Sequence, residues 1–174
     1  MKKLFLTTIL IILCPKFSYA HDTRSDFNLP SKVQVTIIEA NFYRKKFKIE
    51  GYGINENLCR INGQIPFGTT FYLPKIYIKS ITILFQGKSY ALDASNMYDA
   101  WKNSPLNYSK GIRNFGGKCI DTQNCKFRGI FSDTVGIFVA EWIIINGRSL
   151  RTVMSSNDDV IDLFFKKIDP PGYD

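Results

Sequence analysis

Side chains able to carry catalysis are scarce in this sequence. Among 174 residues there is one histidine, His21. Ser-His-Asp and Cys-His catalysis need an imidazole held by the body of a fold, and so do multi-histidine metal sites, so these chemistries are excluded. An amino-terminal histidine can chelate copper through its amine and ring, but such a brace needs a second histidine that the chain lacks. Carboxylates remain. Glu141 lies in a long run of strand-forming residues, with Asp133 upstream in Phe131-Ser132-Asp133-Thr134 and Asp158 downstream. Two carboxyl groups facing each other across a cleft would serve as acid and base or nucleophile on a glycoside. Burial would raise the pKa of Glu141 toward that of a general acid. The structural alternative is an ion pair with an arginine such as Arg128. Among 15 acidic residues, chance pairs are common. There is no glycine-rich phosphate loop, Walker sequence or EF-hand.

The other functional signal is a surface. Tyr43, Arg44, Lys45 and Lys46 share one turn; Tyr72, Lys75, Tyr77 and Lys79 follow; Tyr108, Lys110, Arg113 and Phe115 sit in a loop. Interleaved basic and aromatic residues suit single-stranded nucleic acid, and they suit protein interfaces equally, where Tyr, Trp and Arg concentrate. Solvated turns with aromatics dipping into a core are the structural alternative.

Compartment decides between these partners. Lys2 and Lys3, an apolar run over 4–13, and Ser18-Tyr19-Ala20 have the layout of a secretory signal peptide cut after Ala20. The run is about half the ~20 residues a membrane-spanning helix needs, so no stable membrane anchor is expected. Leu13 before Cys14 and Pro15 after it do not fit a lipid-attachment site. The +8 chain loses three lysines with this segment and stays basic, which favours acidic partners without choosing one. An exported protein seldom meets nucleic acid, so a protein with an acidic surface is the expected partner. Cys59, Cys119 and Cys125 remain after cleavage. The turn-rich GGKCIDTQNC favours a Cys119–Cys125 disulfide and leaves Cys59 over, although Cys59 could pair with either. The spacing is wrong for structural zinc, and no metal or other cofactor is expected.

The elements that must position these residues are mostly strands. Residues 1–20 read as signal peptide, 21–31 as a flexible leader and 32–174 as one α+β domain. Period-two alternation in 33–38 and 46–50, with a turn at 41–45, predicts a first hairpin. Asn62-Gly63 predicts a second tight turn, and 76–85 a strand turned at Gln86-Gly87. Residues 93–103 predict a short helix closed by Pro105, and 104–123 a long loop. Asn146-Gly147 then predicts a hairpin. It pairs Ile143 with Leu150, Glu141 with Thr152 and Val139 with Met154, and puts Val139, Ile143, Leu150 and Met154 on the core face. A final helix follows, capped by Ser156, with Ile161, Phe164, Phe165 and Ile168 as its apolar stripe and Asp169-Pro170-Pro171 as its stop. The expected fold is α+β: a mostly antiparallel sheet of about six to eight strands packed by one short and one C-terminal helix.

In size, export and absence of a catalytic constellation, the chain resembles the periplasmic inhibitors and immunity proteins that neutralise secreted toxins or wall-degrading enzymes. The leading expectation is therefore an exported, non-catalytic protein-binding protein. The alternatives are a carboxylate-dependent hydrolase of envelope glycans using Glu141 and Asp133, and an envelope polyanion binder.

Overall fold

The structure is a computed structural model, and it describes residues 22–29, 32–51, 60–69, 72–100, 114–131 and 136–168. The signal segment, His21, Cys59, the loop residues Tyr108, Lys110 and Arg113, Asp133 and the expected stop at 169–171 lie outside the described residues.

Ten strands and one helix are described: β1 (Thr23–Asn28), β2 (Gln34–Asn41), β3 (Ile49–Glu50), β4 (Arg60–Ile61), β5 (Ile76–Phe85), β6 (Lys88–Leu92), β7 (Phe115–Cys119), β8 (Cys125–Phe131), β9 (Phe138–Ile145), β10 (Arg148–Ser155) and α1 (Asp158–Lys166). The protein is mostly antiparallel sheet with one helix near its C-terminus, but the strands divide among three sheets. One has the order β1-β2-β5-β6, another β10-β9-β8-β7, and β3-β4 form a small third sheet. The two large sheets face each other across one apolar core. Val35, Ile37, Ile81, Ile83 and Leu92 from the first meet Phe127, Phe131, Phe138, Trp142 and Ile144 from the second.

Three turns need left-handed backbone, and the sequence supplies it. Asn62-Gly63, Gln86-Gly87 and Asn146-Gly147 have φ of 54° and 77°, 46° and 78°, and 51° and 74°. Two successive residues at positive φ match the twist of tight antiparallel hairpins, and asparagine and glycine bear that geometry at least cost.

Several expectations are corrected. Thr23–Asn28, inside the segment read as a flexible leader, pairs with β2 as an edge strand, with Phe27 buried. Strand 34–41 does not hairpin with 46–50. It is central, between β1 and β5, and the chain turns a corner through a short 3-10 turn (Arg44–Lys46), so that Ile49 pairs with Ile61 instead. Residues 93–100 hold a turn and two isolated bridges rather than the start of a helix, because Met97 bridges Phe67 and Tyr98 bridges Tyr77 of β5 instead of winding. Inside the stretch 104–123 expected as a loop, residues 115–119 form β7, and Phe115, expected on the binding surface, is buried in the core at 2% exposure.

The β9–β10 hairpin keeps its expected register from Arg148↔Ile145 to Arg151↔Trp142 and then slips, so that Val153 opposes Glu141 and Met154 opposes Ala140. A bulge at Thr152 causes the slip and reverses which residues point where. The expected core face is also inverted. Phe138, Ala140, Trp142 and Ile144 face the opposite sheet at 0–1% exposure, whereas Leu150 is 60% exposed. β9 is an inner strand that is apolar on both sides, with Val139 under the helix and Ile143 and Ile145 beyond it, so its sequence alternates too weakly to say which face is which. α1 packs on the second sheet's outer face through Ile161 and Phe164 against Ile130 and Val139. Its cap is Asn157, not Ser156; the Asn157 side chain accepts from the N–H groups of Asp159 and Val160. Phe165, expected in the stripe, is exposed.

Candidate functional site

Glu141 is buried on the outer face of the second sheet, where its neighbours engage it fully. Arg128 Nε donates to Oε2 at 2.7 Å, Thr152 Oγ1 donates to Oε1 at 3.0 Å, and Lys126 Nζ lies 3.5 Å from Oε2. Arg128 also donates to the Lys167 carbonyl at 3.0 Å and sits 4.8 Å from the Phe164 ring centre. The arrangement is the ion pair with Arg128 anticipated from sequence, used to seat the end of α1. Both carboxylate oxygens are thus taken up by side chains of the fold. Among the described residues no three His, Cys, Asp or Glu side chains gather to hold a metal.

Cys119 and Cys125 face each other across β7 and β8 and form a disulfide, with Cα atoms 4.0 Å apart. Asp121 organises the enclosed turn by accepting from the Gln123 and Asn124 N–H groups and from the Asn124 side chain, and these bonds hold its pKa below the ordinary value. Tyr90 Oη donates to the Thr122 carbonyl, tying this turn to the first sheet.

An open groove of about 460 Å³ lies where pairing along β5 lapses. β6 pairs with β5 only as far as Ile81↔Leu92, and the next bridge on that side is Tyr77↔Tyr98. Between them β5 bulges at Lys79 and Ser80, and residues 93–96 are unpaired with it. The gap is lined by Phe47, Tyr77, Tyr98, Ser80, Asn62 and Gln64, among others. A volume in the few-hundred Å³ range with aromatic walls and scattered amides and hydroxyls is the usual make-up of a recognition site.

Each wall has a structural cause. Phe42 and Phe47 stack with ring centres 4.3 Å apart, and Phe47 meets Tyr77 edge-on at 5.4 Å, so the basic turn of 44–46 is held against the groove. The opposite wall is fixed from the second sheet. Trp142 Nε1 donates to the Asp93 carbonyl at 2.8 Å, and Arg151 donates to the Ser95 carbonyl at 2.7 Å. Gly68 (φ 87°) lets the chain press on Tyr98, since a Cβ there would lie 1.9 Å from the Tyr98 carbonyl oxygen.

Two of the aromatic–basic clusters expected from sequence therefore meet at one place. Arg44, Lys45 and Lys46 are exposed beside Phe47, with Lys46 Nζ 5.3 Å from the Tyr43 ring centre, while Tyr77 and Lys79 line the groove itself. Tyr72 is 77% exposed and is not among the lining residues. Two acids answer this charge. Asp22 accepts from Lys79 at 2.6 Å and raises the lysine's pKa, and Glu50, paired with Lys48 at 2.7 Å, has its own pKa lowered by that bond. Among the described residues no ion pair involves Arg44, Lys45, Lys46 or Lys75, so the rim stays positive.

Glu39 escaped the sequence reading. It is 5% exposed, its Oε1 has no hydrogen-bond partner, and desolvation raises its pKa from 4.5 to about 7. The signal was present: Val35, Ile37 and Glu39 occupy successive inward positions of one strand.

Comparison with protein-family models, with curated proteins and with solved structures returns no match. Any functional reading rests on the groove, the charge around it and the sequence.

Proposed function

We propose that this is an exported, non-catalytic binding protein that captures an acidic segment of another protein in the groove beside β5, as an inhibitor or immunity protein against a secreted toxin or envelope hydrolase would. The reading is supported above all by the convergence of the 43–46 and 77–79 clusters on one aromatic groove with a cationic rim. Aromatic walls supply contact area at small entropic cost, and rim charges steer an acidic partner and set its register. Export is supported by the signal-peptide pattern and by the Cys119–Cys125 disulfide, which persists in oxidising compartments. Among the described residues no helix is long and apolar enough to cross a membrane.

The test is retention of partners from envelope and secreted fractions at physiological salt, comparing the wild type with Ala91→Trp. Ala91 is an exposed groove residue, so the indole fills the site without removing a core contact. A discrete protein held by the wild type and lost by the variant is the expected result. Retention of polyanions only, indifferent to Ala91→Trp and released by moderate salt, would replace the reading with the polyanion binder. If nothing is held specifically, the reading fails.

A further inference from the structure

The second sheet carries a different surface, on the side away from the core. Opposed residues share a face, so the pairings lay out its rows. Lys118, Lys126, Ile143 and Leu150 form one row across β7 to β10, and Gly116, Arg128, Glu141 and Val153 form the next. α1 covers the end of this face at Ile130 and Val139, and Arg128 holds the helix's last turn at the Glu141 row. From there to the β9–β10 turn the described residues leave the face open. Its centre is apolar: Ile143 is half-buried, Leu150 is 60% exposed and Ile145 is 49% exposed. The β7–β8 turn, with Ile120 64% exposed, is tied alongside by the Gly147 N–H donating to the Gln123 carbonyl at 3.1 Å.

We infer that this open end of the outer face is a docking surface for an acidic amphipathic helix of a partner protein, seated beyond α1 on the same sheet. α1 already shows the kind of element the face accepts: a helix whose apolar residues rest on the sheet and whose end is held by a charged side chain. Lys118 and Arg148 border the apolar strip, and Glu141, the one acid in these rows, is already bound by Arg128, Thr152 and Lys126. A helix with leucine-like residues toward Ile143, Ile145 and Leu150 and carboxylates along its flanks would bury the strip and answer its charge. A second copy of this chain fits poorly, because an isologous contact would set the same cations against each other on a protein that stays basic after losing the signal segment. The surface is separate from the groove, which lies beside β5 in the other sheet.

The experiment is methyl NMR of the disulfide-intact protein, titrated with a synthetic helical peptide bearing a leucine stripe and glutamate flanks. A lysine-flanked twin and anionic phospholipid vesicles are run in parallel. The expected result is saturable shifts at Ile143, Ile145 and Leu150 with the acidic peptide. Leu150→Asp and Lys118→Glu, both at exposed positions, each weaken binding about tenfold, equivalent to about 1.4 kcal/mol, and Ala91→Trp leaves it unchanged. Absence of saturable shifts, equal response to the lysine-flanked twin, or shifts produced by vesicles and not by peptide would each overturn the proposal. So would self-association abolished by Leu150→Asp, which would assign the face to a second copy.

Discussion

Glu39 makes the stability of this protein fall as pH rises from the acid range to neutrality. Its carboxyl is held in the sandwich interior at 5% exposure with one oxygen unpartnered, and desolvation is the cause of a pKa raised from 4.5 to about 7. The folded state therefore keeps the proton more tightly than the unfolded chain. Stability from this group is complete below 4.5, declines as pH climbs to about 7, and is level above that. Each pKa unit corresponds to about 1.4 kcal/mol, so the whole change is about 3 kcal/mol, a large part of the ~5–15 kcal/mol that holds a typical domain. The perturbation is Glu39→Gln, a neutral isostere of the protonated acid. Its amide adds a buried donor whose cost is the same at every pH, so the slope and not the height of the curve is the readout. Urea denaturation followed by circular dichroism from pH 4.5 to 8 should show the wild type losing about 3 kcal/mol relative to the variant. Asp26, Glu50 and Asp121, whose pKa values are lowered, act in the opposite direction at lower pH and cancel in the comparison. Parallel curves for the two proteins would refute a buried, neutral Glu39.

Two other perturbations test the frame around the sites. Reducing the Cys119–Cys125 bridge, which closes a loop at a sequence separation of 6, should cost about 2 kcal/mol of chain entropy; an unchanged urea midpoint with reductant would count against it. Glu141→Leu leaves the half-buried Arg128 and Lys126 without their carboxylate and should cost about 3 kcal/mol, while the double variant with Arg128→Met should recover much of the loss. Equal losses in single and double variants would mean that the ion pair does not organise this end of α1.

Much of this could be read in the chain. Asparagine or glutamine before glycine marked all three tight turns, because few residue pairs bear two successive positive φ values. The Cys119–Cys125 bridge and the Glu141–Arg128 pair were also legible, the first from a short turn-rich spacing and the second from the cost of leaving a strand carboxylate alone. The groove was legible only in pieces. Tyr43–Lys46 and Tyr77–Lys79 stood out as aromatic–basic clusters, but nothing local says that Phe47 will stack on Phe42 and carry one cluster to the other. Phe115 was misassigned because a glycine-rich stretch reads as loop. In fact Gly117 is there because a Cβ would fall 2.1 Å from the Phe127 ring.

What the sequence by itself determined is local: turn positions, strand content, the C-terminal helix, the disulfide and the lack of histidine chemistry. These depend on residue type and near-neighbour geometry. Tertiary structure alone decided the division into two facing sheets, the bulges at Thr152 and Lys79, and which face of β9 is core. A one-residue slip sends every later side chain to the other face. An inner strand that is apolar on both sides carries too little alternation to reveal it, and only packing against the opposite sheet makes the choice.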